Sequence, residues 1–554
     1  MTSSRASHSQ SGQSDTEPLH RLRAMGVQLR VDEPESMLRA ACAQHVGIAE
    51  ESIAHLTIAR RSLDARRRGR KHDLRFVYHV DLTLSESTPG VTQAMASGAA
   101  REIPDAVGFV LEDVDPSVRR QRIAVVGAGP AGLYAAWTLA ANGVGVDVLD
   151  RGPILSDRGR AVARFTRTRE LDPERNLLFG EGGAGTYSDG KLYTRTQHPI
   201  EGAILESLIE AGADPEIAFD ARAHVGTDRL HRILPRLRAR LEEMGVRFHF
   251  ETKLESLVSD AAGERVLALR TNRGEMPCDG VVLALGHSAR DTLRSLHAEG
   301  LVLEAKPFQI GLRIEHPQSL IDLGRFGAGA DLERLGHAYY SLVAKATEGS
   351  GAVHSFCMCP GGQVVAAVAQ PGLLCTNGMS NSRHSSPFAN SGLVVTLGPR
   401  EFGDGVFAGI ETQEALERRF FEAGGADYSV PTQGVTDFLE GRLSSNLGRS
   451  SYKLGTTSAR IDELLPADMT EALRTGIRRF DRQLPGYAGS EGLLVGIESR
   501  SSGPIRIPRD PTTRLATGFA NLWPVGEGAG YAGGIMSAAI DGARSAWAVL
   551  SHVG

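Results

Sequence analysis

Cysteine is scarce. Five in 554 residues do not make a disulfide framework in a chain of this length. No second Cys or His pair stands at ligand spacing from the cysteines at 357 and 359, so no metal site is expected. Neither sign of charge dominates: 61 Lys and Arg face 66 Asp and Glu, a net charge of −5. A global pull toward nucleic acid is therefore excluded, and no nucleic-acid partner is expected. No apolar run approaches the roughly 18 residues of a membrane span. Residues 1–18 lack the apolar core of a secretory signal and read as a disordered, Ser- and Gln-rich tail. The default expectation is a cytoplasmic protein with no membrane contact. Apolar residues make up 41% and charged residues 23%, ordinary for a globular protein, and the length calls for two to four domains.

What is present is glycine at informative places. Residues 120–152 read RQRIAVVGAGPAGLYAAWTLAANGVGVDVLDRG. A β-branched strand (Ile123 to Val126) runs into Gly127-Ala128-Gly129-Pro130-Ala131-Gly132. A small-residue helix follows, then a strand, Val144 to Leu149, that ends on Asp150. Gly127 permits a tight strand-to-helix turn. Gly129 lets backbone approach a pyrophosphate at the helix N-terminus. Gly132 lets helix and strand pack closely, and Asp150 is placed to accept from a ribose hydroxyl. The full order of strand, glycines, helix, strand and acid predicts dinucleotide binding.

Distant segments favour FAD over NAD. FANLWPVGEGAGYAGGIMSAAIDG (519–542) joins a strand to a second helix start near Gly533-Gly534-Ile535, a place for a flavin or its phosphate arm. GVVLALGH (280–287) is a strand ending in a glycine turn, and GEGGAGTYSDGK (180–191) is a glycine-rich loop suited to a planar ring. No second strand–GxGxxG–helix unit follows. Electrons must then come from the substrate, from NAD(P)H bound transiently, or from a redox partner protein.

These pieces resemble the single-Rossmann flavoproteins related to glutathione reductase and p-hydroxybenzoate hydroxylase. More closely, the chain is similar to the bacterial family of uncharacterised FAD-dependent dehydrogenases. The likeness is carried by NLLFGEGGAGTYSDGKL (176–192), ALGHSARDT (284–292), KPFQIGLRIEHPQSLID (306–322), SFCMCPGGQVV (355–365), NGMS (377–380) and GEGAGYAGGIMSAAIDG (526–542), and it spans roughly residues 20–550. It implies non-covalent FAD. By its pattern Gly127, Gly129, Pro130 and Ala131 cradle the pyrophosphate and Asp150 holds the adenosine ribose. Arg158 matches an arginine after the second strand. Gly183, Gly185, Ser188 and Lys191 approach the isoalloxazine. Leu254 lies at the adenine and Gly286 in the strand-end turn. Gly526 and Glu527 reach the ribityl or phosphate region, and Gly534 and Ile535 the pyrimidine edge. Many relatives carry Glu where this chain has Asp150.

The expected fold class is α/β. A three-layer, Rossmann-type FAD domain occupies 119–299 and closes with 516–554. An α+β substrate or cap domain is inserted at 300–515, and a small α+β domain occupies 19–118. In the last, Val27 to Val31, Ile53 to Ala59 and Leu74 to Leu84 read as strands and 34–46 as a helix. Its segment RRSLDARRRGRKH (60–72) carries seven Arg or Lys outside Ser62 to Ala65, either a phosphate or RNA contact or a solvated hairpin loop.

For chemistry, Cys357-Met358-Cys359 is the sharpest candidate. A thiolate near a flavin can relay electrons, attack a substrate or move a proton; the pair can instead be two small core residues. His354, three residues earlier, is an acid/base candidate or a packed histidine. Lys306, Arg313 and Glu315, and Arg500 with Ser501 and Ser502, either bind an anionic substrate or hold the sheet–cap junction. The leading expectation is an oxidoreductase moving a hydride between flavin N5 and a small organic substrate. The alternatives are a flavin-dependent monooxygenase and an RNA-binding or RNA-modifying flavoprotein.

Overall fold

The structure is a computed structural model that describes residues 19–68, 71–85, 88–194, 196, 198–346 and 351–552. The tail expected over 1–18 lies outside the described residues. Two compact units result: residues up to Asp105 with Phe219–Ala221, and Ala106–Ala218 with Arg222 onward.

In the first unit, β1 (Leu19–Arg30), α1 (Leu38–Val46), β2 (Ile53–Asp64), β3 (Arg75–Ser85), α2 (Val91–Ser97) and β4 (Ala100–Glu102) form a four-stranded sheet ordered β2-β3-β1-β4 with its two helices. Alternation sets its core. Tyr78, Val80, Leu82 and Leu84 of β3 turn inward and pack with Leu22, Ala24, Cys42 and Val46. β1 begins well before Val27, because Leu22 and Ala24 also face the core; the intervening Arg21 and Arg23 hide that pattern. The basic segment belongs to the β2–β3 hairpin. Arg61 pairs with Asp220 and Arg66 with Asp64. Gly69 and Arg70, and the side chains of 67–72, lie outside the described residues.

The second unit contains the parallel sheet. β5 (Arg122–Val126) leads to α3 (Pro130–Ala141), β6 (Gly145–Leu149), α4 (Leu155–Thr168), α5 (Thr227–Glu243), β7 (Arg247–His249) and β8 (Gly280–Leu283). Near-continuous burial of RIAVV and GVDVL suits strands covered on both faces. Pro130 opens α3, where its missing N–H and fixed φ cost nothing. Pro235 is accommodated within α5.

The cap follows with β9 (Phe308–Pro317), β10 (Val353–Cys359), β11 (Phe388–Leu397), α6 (Ala408–Ala423), β12 (Val430–Gly434) and β13 (Leu493–Glu498). With Val343–Ala344 and Thr456–Ser458 at its edges, these strands make a seven-stranded sheet whose labelled order is β10-β11-β9-β13-β12. The chain then returns through β14 (Leu522–Pro524) and α7 (Ile535–Leu550). β14 completes the parallel sheet, ordered β14-β8-β5-β6-β7. α7 lies so close to α3 that a Cβ on Gly542 would stand 1.9 Å from the Ala131 carbonyl oxygen. Among the described residues, no helix is long and apolar enough to cross a membrane.

Candidate functional site

The C-terminal ends of β5, β6 and β8 open onto a cleft with about 1060 Å³ of atom-free space, part of it open to solvent. This is where open parallel sheets bind ligands. Gly127, Gly129, Pro130, Ala131, Asp150, Gly183, Gly185, Leu254, Gly286, Gly526, Glu527, Gly534 and Ile535 all line it.

The glycines have distinct reasons. Gly127 turns at φ +116°, and a Cβ there would stand 2.2 Å from the Ala284 carbonyl oxygen. Gly132 is stricter: its Cβ would meet the Gly127 oxygen at 1.8 Å. Gly129 is not crowded by protein. Its φ is −79°, and the nearest atom to an added Cβ is Gly183 Cα at 3.9 Å. The space over Gly129 is therefore cleft, above an α3 N-terminus that no side chain caps and whose dipole favours an anion.

Asp150 fixes this loop. One carboxylate oxygen accepts from Ala128 N at 2.8 Å; the other accepts from Gly152 N at 2.9 Å and Gly180 N at 2.8 Å. Burial pushes its carboxyl upward, against these three donations. On the far side, Glu527 accepts from Gly503 N at 2.7 Å. Gly526 donates to Asp541 at 2.9 Å, and Arg509 and Arg514 hold Asp541 in turn. Sequence reasoning missed Asp541: it lies on α7 and reads as an ordinary helix residue.

A dinucleotide cofactor fits this cleft. Its phosphates match the open space over Gly129. Gly286, at φ +70°, has nothing within 4 Å of the point a Cβ would occupy. His287 lines the wall, and its Nε2 is buried with no hydrogen-bond partner among the described residues. Burial, with Arg500 and Arg290 nearby, pulls the His287 pKa down to about 3, so the ring is neutral at pH 7.

Three residues expected at the cofactor lie elsewhere. Arg158 is buried within the scaffold. It donates to the carbonyls of Asn176 at 2.9 Å, Leu177 at 2.6 Å and Glu181 at 2.9 Å. It thus shapes the glycine-rich loop that lines the cleft. Ser188 donates to the Gly185 carbonyl at 2.6 Å and closes the same loop. Lys191 points to the cap: its Nζ is 3.0 Å from Asp189, 4.0 Å from Cys357 Sγ and 3.9 Å from Cys359 Sγ.

Neither cysteine lines the cleft. β10 is regular to Phe356, opposite Gly392, then slips so that Cys359 faces Asn390. The extra residue makes a bulge, with Cys357 at φ +46°. The bulge redirects both sulfurs to Lys191. Arg313 Nη2 reaches Cys359 Sγ at 3.8 Å, and Arg313 is itself bound to Glu498 at 3.0 Å and Asn390 at 3.0 Å. A hydrogen bond from Cys359, then Lys191 and Arg313, bring the Cys357 thiol below its ordinary value, while Cys359 is held well above its own by that shared hydrogen bond and by burial. Burial pushes Glu498 up to about 7. His354, on the regular part of β10 opposite Val394, makes no hydrogen bond to either sulfur among the described residues.

The remaining charged candidates are paired. Arg290 and Arg500 share Glu417 at 2.9 Å each, and the three side chains are 0–3% exposed. Arg500 also reaches Ser288 of the cleft wall at 3.4 Å. Lys306 donates to the Gly503 carbonyl at 2.9 Å. Glu315 accepts from Ser451. Ser501 donates to the Gln309 carbonyl at 2.8 Å, and Ser502 Oγ accepts from Gln309 N at 2.9 Å.

Comparison with known proteins agrees with this geometry. The family described as FAD binding domain matches residues 120–284, and that described as FAD-dependent protein, C-terminal domain-like, matches 307–501. A domain of unknown function matches 22–83. An uncharacterised protein of Clostridium beijerinckii is 37% identical over 533 residues, covering 95% of this chain and 98% of its own length. The chain belongs to that protein's family. It is a flavoprotein whose cofactor is FAD. Among solved structures, a geranylgeranyl bacteriochlorophyll reductase-like protein of Thermoplasma acidophilum is 11% identical, with 78% of each chain covered and a TM-score of 0.33. L-proline dehydrogenase from P. horikoshii is 12% identical, with 77% of this chain and 92% of its own covered and a TM-score of 0.33.

Proposed function

We propose that this flavoprotein is a dehydrogenase or reductase that moves a hydride between its flavin and a carbon of a small organic substrate. The observation that carries the reading is the glycine-lined cleft at the ends of β5 and β6, continuous with the 183–185 turn and the start of α7. FAD, when bound, supplies the hydride chemistry at N5.

The chain's residues supply position and proton control. Backbone at Gly127, Gly129, Pro130 and Ala131 holds the pyrophosphate at the α3 N-terminus. Asp150 takes the ribose with the lone pairs its backbone donors leave free, and Leu254 covers the adenine. Gly286 gives room at the strand-end turn. Gly526 sets Glu527 toward the ribityl chain. Gly183, Gly185, Gly534 and Ile535 bound the space for the ring. Neutral His287 offers its free Nε2 to a donor or acceptor on the cofactor. Lys191 faces the substrate side, where it holds Cys357 as a thiolate beside the protonated Cys359. This pair accepts and returns the substrate proton that accompanies hydride transfer.

The test is anaerobic reduction and reoxidation of the purified holoprotein against a metabolite panel, with the flavin spectrum as readout. Bleaching by an organic substrate, without oxygen, is expected. Reduction only by NADPH, followed by oxygen-dependent hydroxylation of a product, would mean a monooxygenase instead. Cys357→Ala and Cys359→Ala should keep FAD and slow substrate-driven reduction by about 100-fold or more. Wild-type rates in both, and in the double variant, would remove the pair from catalysis.

A further inference from the structure

The bulge at Cys357 has a second chemical consequence. We propose that Cys357 and Cys359 form a peroxide-reactive dithiol in which Cys357 attacks the peroxide and Cys359 resolves the resulting sulfenic acid, giving an intrachain disulfide. This goes beyond the flavin reading and stands whether or not the pair also moves a substrate proton.

Four observations carry it. The two sulfurs share one ammonium, Lys191 Nζ, at 4.0 and 3.9 Å. Cys359 Sγ also lies 3.3 Å from the Cys357 carbonyl oxygen, which holds it against the backbone of its neighbour. In a regular strand, residues two apart have Cα atoms about 6.7 Å apart, near the upper end of the roughly 4.4–6.8 Å that a disulfide spans. The bulge turns both sulfurs to one point instead of leaving them side by side along the strand.

Second, the cations are fixed. Lys191 is pinned by Asp189, which also accepts from Ser380. Arg313 is fully buried and pinned by Glu498. Positive charge held on two sides of a thiol pair favours a thiolate, the species that attacks peroxide.

Third, access is asymmetric. Cys357 keeps part of its surface open, while Cys359 is fully buried. The partly open residue is the one whose thiol the cations favour as a thiolate, and the buried one is its resolving partner. Fourth, Cys42, Cys278 and Cys375 are buried away from this cluster, and burial pushes their thiols up to about 12, 12 and 11. They serve as internal controls.

The chemistry balances with hydrogen peroxide as the named oxidant. The Cys357 thiolate attacks one peroxide oxygen; the O–O bond breaks, and a proton completes water, leaving Cys357 as sulfenic acid. The Cys359 thiol then attacks that sulfur. The S–S bond forms, the S–OH bond breaks, and the thiol proton leaves with hydroxide as a second water. Two thiols are oxidised and one peroxide is reduced.

The experiment treats the holoprotein with hydrogen peroxide at pH 7, blocks remaining thiols with iodoacetamide and maps the peptides by mass. The expected product loses two hydrogens in the 357–359 peptide, loses both alkylation sites there and regains them with dithiothreitol, while Cys42, Cys278 and Cys375 alkylate as before once unfolded. Cys359→Ser should stop at a dimedone-reactive sulfenic acid on Cys357, and Cys357→Ser should not react with peroxide at position 359. In the wild type, the pH midpoint for alkylation of Cys357 should lie well below that of a free thiol, and Lys191→Met should raise it by about one unit or more. If Lys191→Met loses its flavin, the wild-type midpoint carries the test alone. A midpoint near that of a free thiol, about 8.5, would overturn the proposal. Oxidation spread evenly over the five cysteines would overturn it as well. So would passage straight to sulfinic acid without a disulfide.

Discussion

Gly129 and Gly132 stand three residues apart in one motif, yet the structure assigns them opposite consequences on gaining a methyl group. At Gly132 a Cβ would lie 1.8 Å from the Gly127 oxygen and 3.2 Å from Val125 Cγ1. The loop or the helix must move, so Gly132→Ala should cost the protein itself about 1–3 kcal/mol, the usual range for overpacking. At Gly129 the backbone is in an ordinary extended conformation, and 3.9 Å of space separates the methyl from Gly183. Stripped of FAD, Gly129→Ala should be as stable as the wild type, or more stable by about 0.4–1 kcal/mol through lost freedom of the unfolded chain. What the methyl takes is the room a pyrophosphate needs over the α3 N-terminus. Losing one charge-assisted hydrogen bond there is worth about 1.5–3 kcal/mol, which is about 10- to 150-fold in Kd. Urea unfolding of the stripped proteins and titration of each with FAD, followed by flavin fluorescence, separate the two effects. Gly129→Ala with unchanged FAD affinity would refute the placement of the pyrophosphate. Gly129→Ala that unfolds more readily without FAD would refute the claim that the space belongs to the ligand.

Glu417→Gln should destabilise the holoprotein by about 3–5 kcal/mol in denaturant, because Arg290 and Arg500 would lose their shared buried carboxylate; a loss below about 1 kcal/mol would refute that account. His316 is buried, with Nε2 donating to the Tyr487 carbonyl at 2.8 Å and Nδ1 lacking a partner among the described residues. Burial lowers its pKa to about 4, against about 6.5 in the unfolded chain. The unfolded state therefore binds the extra proton, and stability present above about 6.5 should fall by about 3 kcal/mol as pH drops toward 4. His316→Gln should flatten that part of the stability profile. A chain starting at Ala106, where the second unit begins, should still bind FAD, since the cleft is lined wholly by later residues; flavin-free aggregates under several expression conditions would count against this.

Much of the fold and the cofactor cleft was legible because local rules and function coincide there. The β5–α3–β6 unit is contiguous, its glycines answer to steric needs set within a few residues, and its strands are buried on both faces. The glycine turns at 183–185, 286 and 526 were legible for a related reason: each follows or precedes an element whose periodicity is plain. What resisted reading were partners chosen by tertiary structure. Arg158 sits where a cofactor arginine is plausible, but four donor contacts bind it within the 176–187 loop. Nothing in its helix announces that, because the acceptors are mostly backbone carbonyls, which have no sequence signature. The family resemblance implies Lys191 at the isoalloxazine with the glycine-rich loop, and the structure turns it onto the cap. The same chain reversal explains why the two cysteines, whose nearest charge candidate in sequence is His354, are found between Lys191 and Arg313. Their distances along the chain are 166 and 44 residues from Cys357, beyond any spacing rule. The bulge was equally hidden. A single extra residue between Phe356 and Cys359 depends on pairing with Gly392 and Asn390, and alternation alone would have placed the two sulfurs in parallel with no common partner. The properties that make the pair chemically distinctive, a fixed cation and one partly open cysteine, therefore arise at the level of strand register, one step above what composition or motif can specify.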